Sequence, residues 1–215
     1  MKTIEFSNPH RKKHFDFFRE MNHPHFNVTA NVDISKLLSI LKDNKLPVNI
    51  GMVYFLSYTA NKIPEFRWRI RGDEVVEHTL VHPSFTVSTD VADVFSFCTV
   101  DFSLDSKTFF AKAKAVMEKM KTNPSLEDEE GRDDFLFMST FPWVSFTSLQ
   151  HAMHYHPSDS VPRIVWGKFF EQDGKTLMPL SVQAHHAIVD GRHIGQFFQD
   201  FETMASDPSS IIVKK

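Results

Sequence analysis

Residues 177–204 constrain this chain more than any other stretch. Leu177-Met178-Pro179-Leu180-Ser181-Val182 is apolar on both alternating sets of positions, which predicts a strand buried on both faces. From Ile194 to Met204 apolar residues recur at helical spacing, which predicts an amphipathic helix. Between them lies Gln183-Ala184-His185-His186-Ala187-Ile188-Val189-Asp190-Gly191-Arg192-His193. Two histidines and an aspartate therefore stand at a strand-to-helix switch, where a scaffold holds side chains rigidly and still exposes them. Asp190 can cap the helix, and Gly191 allows a backbone turn that a Cβ would oppose.

The rest of the chain alternates irregularly between the two periodicities. Arg11 to Arg19 reads as a short helix and Phe26 to Val32 as a half-buried strand. Asp33 reads as the N-cap of a helix running through Leu41. After Pro47, Ile50 to Lys62 is apolar almost all round, so it is the candidate for the deepest helix, and Pro64 ends it. Short strands are expected at 67–70, 75–81, 85–88 and 95–100, with a hairpin turn at Arg71-Gly72-Asp73. Asp105 to Lys121 reads as a helix, and 123–134 as an acidic, solvated loop. Further strands are expected at 135–141, 144–149, 164–170 and 177–184, the last two joined through Asp173-Gly174. With no repeat and no long linker, residues 1–215 read as a single domain. Its class is α/β (α+β), a two-layer sandwich with a mixed sheet flanked by helices.

Bulk properties narrow the function. The net charge of −3 gives no electrostatic footprint for nucleic acid or an anionic membrane. No run of about 18 apolar residues could span a bilayer. The N-terminal residues lack the apolar segment of a secretory signal, and the lone Cys98 rules out an intramolecular disulfide; a cytoplasmic protein is expected. The 22 Phe against 3 Tyr and 3 Trp supply a Phe-rich core, or rings lining a pocket or subunit interface.

The His-His-x-x-x-Asp-Gly motif resembles the signature of the CoA-dependent acyltransferases. Ser139-Thr140-Phe141-Pro142-Trp143-Val144-Ser145-Phe146-Thr147-Ser148 resembles the Pro-Trp-x-x-Phe-x-Ser stretch of the chloramphenicol acetyltransferases. Residues 177–186 resemble their terminal strand nearly residue for residue. Arg11-Lys12-Lys13-His14-Phe15-Asp16-Phe17-Phe18 resembles their Arg-x-x-His-Phe-x-Phe-aromatic start, and Val32-Asp33-Ile34-Ser35 their Ile-Asp-Ile-Thr. Separated motifs in register are harder to meet by chance than one alone.

This resemblance implies a CoA-dependent acyltransferase-like fold and transfer of acetyl from acetyl-CoA to a hydroxyl of a small-molecule acceptor, chloramphenicol first among them. Antibiotic resistance would be its role. An alcohol is a poor nucleophile near neutral pH, and imidazole is a suitable base there. The resemblance assigns that base to His186, an oxyanion-stabilising hydroxyl to Ser148, and support of the site to an Asp190–Arg11 ion pair. A backbone carbonyl would set the tautomer of His186. The same resemblance gives Lys168 and Phe169 to CoA, Phe17, Phe18 and Asn22 to the acceptor pocket, and a homotrimer with its sites between subunits. It implies no metal. His185, adjacent on the strand, is expected to be structural.

Several positions depart from the pattern. Val189 stands for a usual Cys and Arg192 for an aromatic. Asn22-His23-Pro24-His25-Phe26 replaces a Leu-Pro-Cys-Gly-Phe-like segment, and Val165 stands where well-known members carry a Thr that helps hold a water near the intermediate. These changes fall where an acceptor is chosen, so a different hydroxylated acceptor is the main alternative. Three further classes compete. A metal site could use His185, His186, Asp190 and His193, or His151, His154 and His156, but neither spacing matches a common zinc pattern. A non-catalytic binding relative would have no need of the base. A dihydrolipoyl acyltransferase core would share the motif, but lipoyl and linker segments are absent here.

Overall fold

The computed structural model describes residues 1–154, 156–157 and 159–212. In chain order the elements are β1 (Lys2–Ile4), α1 (Pro9–Arg19), β2 (His25–Asp33), α2 (Ser35–Asp43), α3 (Val48–Lys62), β3 (Trp68–Arg71), β4 (Glu74–Glu77), β5 (His82–Ser88), β6 (Phe95–Thr99), α4 (Ser106–Thr122), β7 (Phe135–Phe141), β8 (Arg163–Gly167), β9 (Phe170–Gln172), β10 (Lys175–His185) and α5 (Gly191–Ser206).

β10 is the strand around which the larger sheet is assembled. It lies between β2 and β8, antiparallel to both, and the order across the sheet is β2-β10-β8-β7-β5-β6. β8, β7 and β5 run parallel to one another, and β9 folds back on the start of β10, so the sheet is mixed as expected. β8 is buried throughout and β10 from Met178 to His185, which accounts for their apolar runs. A small antiparallel sheet, β1-β4-β3, lies apart. The fully buried Arg69 joins it to the large sheet by donating to the carbonyls of Asp133 and Phe135, where β7 begins.

Helix α3 is the deepest helix, with Met52 to Leu56 fully enclosed. Its Gly51 lets Leu41 of α2 approach so closely that a Cβ would sit 2.6 Å from the leucine methyls. α5 buries Ile194, Phe197, Phe201, Met204 and Ala205 along one stripe. That stripe fixes the direction in which the chain leaves the His-His segment.

Some local expectations are corrected. Residues 144–149 form no strand. Pro142-Trp143 turn the chain out of β7, and the irregular stretch then packs on the end of β8. There the Val144 carbonyl accepts from Lys168 N–H, and a Cβ on Gly167 would meet that carbonyl oxygen at 2.9 Å and the Phe146 ring at 3.0 Å. The strand expected at 164–170 breaks into β8 and β9. The helix after β2 starts at Ser35, with Asp33 accepting from both the N–H and the hydroxyl of Ser35. Gly191 needs no special backbone freedom, because its φ is not positive and a Cβ would meet open space.

Candidate active site

β10 ends at His185, and the chain then turns through 186–190 into α5. His186 is half-buried at the start of this turn, and its backbone N–H donates to the carbonyl of Pro24 at 2.8 Å. Its ring lies among aromatics of the N-terminal third. Phe18 stacks on it with centroids 3.9 Å apart at 25°, and Phe26 follows at 4.5 Å. The ring of His14 meets it edge-on at 5.3 Å. Nδ1 of His186 is buried and has no hydrogen-bond partner among the described residues, so no backbone carbonyl fixes its tautomer. Nε2 is then the nitrogen open to an acceptor. A ring seated between flat faces has little rotamer freedom, which is what a general base requires.

Arg11 holds the turn from beneath. Its guanidinium donates to the carbonyls of Ala187 at 2.8 Å and Ile188 at 2.9 Å, and to Nδ1 of His14 at 3.0 Å. The expected Arg11–Asp190 ion pair is absent among the described residues, because the fork is occupied by the two carbonyls and the imidazole. Asp190 works locally instead. Its carboxylate accepts from the N–H of Arg192 and caps α5, while the Asp190 N–H donates to Nδ1 of His193 at 3.0 Å. The bond accepted from the Arg192 N–H outweighs burial and holds the Asp190 carboxyl below its ordinary pKa. Nε2 of His193 faces Glu65 at 3.5 Å. The turn is thus fixed at three points, by Arg11, by the cap and by the Pro24 carbonyl.

The neighbouring histidines are structural. His185 is 2% exposed and its Nδ1 accepts from the Ala187 N–H. Its ring meets that of His25 at 5.0 Å. Burial pushes His185 down to about 3 and His25 to about 4, so both stay neutral near pH 7.

A family model described as chloramphenicol acetyltransferase matches residues 1–202. The chain belongs to the chloramphenicol acetyltransferase family. A chloramphenicol acetyltransferase of Bacillus pumilus is 31% identical over 88% of this chain and 86% of its own length. Chloramphenicol acetyltransferase 3 of Escherichia coli is 29% identical, over 91% and 92%. Among solved structures, a chloramphenicol acetyltransferase superposes with a TM-score of 0.80 at 23% identity, covering 95% of this chain and 99% of its own. The cubic core of a pyruvate dehydrogenase complex superposes at 0.71 and 18%, covering 99% and 95%, a likeness of fold. The protein is accordingly an acyltransferase by family.

The remaining residues expected from the chloramphenicol acetyltransferase pattern lie on α1, on the segment before β2, on the irregular stretch after β7 and just beyond β8. Phe17 is 63% exposed and edge-on to Phe18. Asn22 lines a cleft of about 230 Å³ with His23, Pro24, His25 and residues 150–154. Lys168 is exposed just beyond β8, and Phe169 packs partly against the core. Ser148 is exposed on the irregular stretch, and its hydroxyl has no hydrogen bond among the described residues.

Another serine is better held. Ser139 on β7 pairs its hydroxyl with Thr86 at 2.9 Å and lines a cleft of about 440 Å³ with Thr86, Lys121, Phe95, Phe141 and Trp143. Strand register puts Thr29, Ser181, Val165 and Ser139 in one row across the sheet, hence on one face. Ser139 was missed at the sequence level, although it sits on the strand leading into Pro142-Trp143. His14 was missed too; its spacing of three from Arg11 on a helix was the available signal.

Among the described residues, the one group with donor atoms all within 4.8 Å of one another is His14, His186 and Asp190, not the sets suggested by sequence spacing.

Proposed function

We propose that this protein, a single domain over residues 1–215, moves acetyl from acetyl-CoA to a hydroxyl of a small molecule, with chloramphenicol the first acceptor to try. His186 takes the hydroxyl proton on Nε2 as the oxygen attacks the thioester carbonyl. The tetrahedral intermediate collapses with cleavage of the C–S bond, and the proton passes to the departing CoA sulfur. The seating of His186 carries this reading: a ring held by Phe18 and Phe26 on a turn locked by Arg11.

The oxyanion needs a preorganised donor. The motif resemblance assigns it to Ser148, and the geometry favours Ser139, whose hydroxyl is held on a strand beside Val165. Val165 stands where well-known members carry a Thr that helps hold a water near the intermediate, which supports its neighbour in the row as the donor. Lys168 is suited to the CoA phosphates and Phe169 to the adenine. Phe17, Phe18 and Asn22 are suited to the acceptor, and the imidazole-lined cleft beside Asn22 favours a more polar acceptor as the alternative.

Among the described residues, none lines both the Ser139 cleft and the cleft beside Arg11 and Asp190. The rim of the Ser139 cleft includes exposed Trp143, Phe141 and Phe95. Such an apolar rim supports a homotrimer in which the His186 of one subunit faces the Ser139 cleft of the next. Among the described residues no helix is long and apolar enough to cross a membrane, which fits the cytoplasmic location we propose.

The test is release of free thiol from acetyl-CoA with a panel of hydroxylated compounds, chloramphenicol first, alongside light scattering. We expect acceptor-dependent release, loss of about 10²–10⁴-fold in His186→Ala, and a particle of about three chains. Release that survives in His186→Ala, or none with any acceptor, overturns the reading.

A further inference from the structure

His14 is the residue at this site that the proposed chemistry leaves without a role. It lies on the same face of α1 as Arg11, one turn on. Arg11 Nη1 approaches His14 Nδ1 at 3.0 Å. A guanidinium can only donate, so Nδ1 accepts and the ring proton sits on Nε2. Nε2 is 3.8 Å from Oδ2 of Asp190. The His14 ring meets Phe18 at 4.7 Å and the edge of His186 at 5.3 Å, and Phe18 in turn stacks on His186. The charged and titratable groups facing it are Arg11, His186, Asp190 and His10. Burial first, then Arg11 and His186, lower its pKa, so the ring stays neutral with both nitrogens assigned. Metal binding through Nε2 would move the proton to Nδ1, where it would confront the Arg11 guanidinium, so a hydrogen-bonded role fits better than a ligand role.

We infer that His14 is a positioning residue for His186. Arg11, already bonded to the carbonyls of Ala187 and Ile188, clamps the His14 ring through Nδ1. His14 and Phe18 together then set the plane in which the His186 ring meets the acceptor hydroxyl. The inference rests on the proposed transfer with His186 as base. A base displaced by about 1 Å can lose about 10²-fold in rate, which makes such a clamp worth having.

His14→Asn and His14→Gln divide the possibilities. The Asn oxygen falls near the position of Nδ1 and can accept from Arg11, whereas Gln places its amide near Nε2. With folding checked by thermal unfolding, His14→Asn should keep most of kcat. His14→Gln should lose about 10²-fold in kcat with both KM values unchanged. The His186 ring resonances, displaced by the Phe18 ring current, should hold in Asn and move in Gln. Equal kcat in the variants, or a loss confined to KM, overturns the inference. If the wild type transfers acetyl to nothing, the functional reading fails, and the resonances still decide the role of His14. Nitrogen shifts of His14 in the unmutated protein decide it even if a variant does not fold: an Nε2–H ring supports the clamp and an Nδ1–H ring overturns it.

Discussion

Phe18 lies face to face with His186, their centroids 3.9 Å apart. The proposed base thus belongs to one end of the chain and its seat to the other. Aromatic contacts of this kind contribute about 0.5–1.5 kcal/mol beyond area. Phe18→Leu should therefore lower kcat by about twofold to tenfold, with the KM for acetyl-CoA little changed, in steady-state kinetics. A rise in the KM for the acceptor with kcat unchanged would confine Phe18 to acceptor binding and remove it from the seating of His186.

Arg11 bonds two loop carbonyls with one planar fork, which an ammonium cannot reproduce. Each hydrogen bond to a charged group contributes typically about 1.5–3 kcal/mol. Arg11→Lys should lose both stability and kcat although the charge is kept. Denaturant midpoints and kcat read side by side check this; retention of both would mean that charge alone suffices.

The two serines separate cleanly by single substitution. Loss of one oxyanion donor typically lowers kcat by about 10²–10³-fold. Ser139→Ala should show a fall of that size and Ser148→Ala almost none, each measured at saturating acetyl-CoA. The reverse pattern restores the motif assignment.

Stability should fall in mild acid. Burial holds His25 and His151 near about 4 and His185 near about 3. The unfolded chain protonates these rings near pH 6.5, whereas the folded protein resists until pH approaches 4. Their stabilising effect is therefore whole above about pH 6.5 and lost progressively below it, levelling near pH 3–4. Each ring adds a slope of up to about 1.4 kcal/mol per pH unit. Urea midpoints between about pH 6.5 and 4.5 should decline, less steeply in His25→Asn; a flat profile contradicts neutral burial.

The elements easiest to read in the sequence were those with a single dominant period. Helices α3 and α5 and strand β10 follow directly from their apolar spacing, because burial is what that spacing encodes. The 144–149 stretch misled because Val144 and Phe146 alternate like a strand. Their partners are the end of β8 and the missing Cβ of Gly167, a tertiary contact that no local window contains. The same limit applied to the site. His186 and Asp190 were legible from their motif, but the ligands of Arg11 are main-chain carbonyls 176 and 177 residues away, which carry no side-chain signature. Ser139 needed the register of three strands before its neighbours were known.

The position of β10 also bears on how the protein is made. β2 and β8 flank it in the sheet, yet both emerge from the ribosome earlier, and Thr29 meets Ser181 across 152 residues of chain. Until β10 inserts, the nascent molecule carries two open strand edges and an apolar slot between them. Such long-range closure is slow and leaves an interval in which chains can join edge to edge. Expression at lower temperature, or with chaperones that shield strand edges, should raise the soluble yield, and truncation before β10 should leave an aggregating chain.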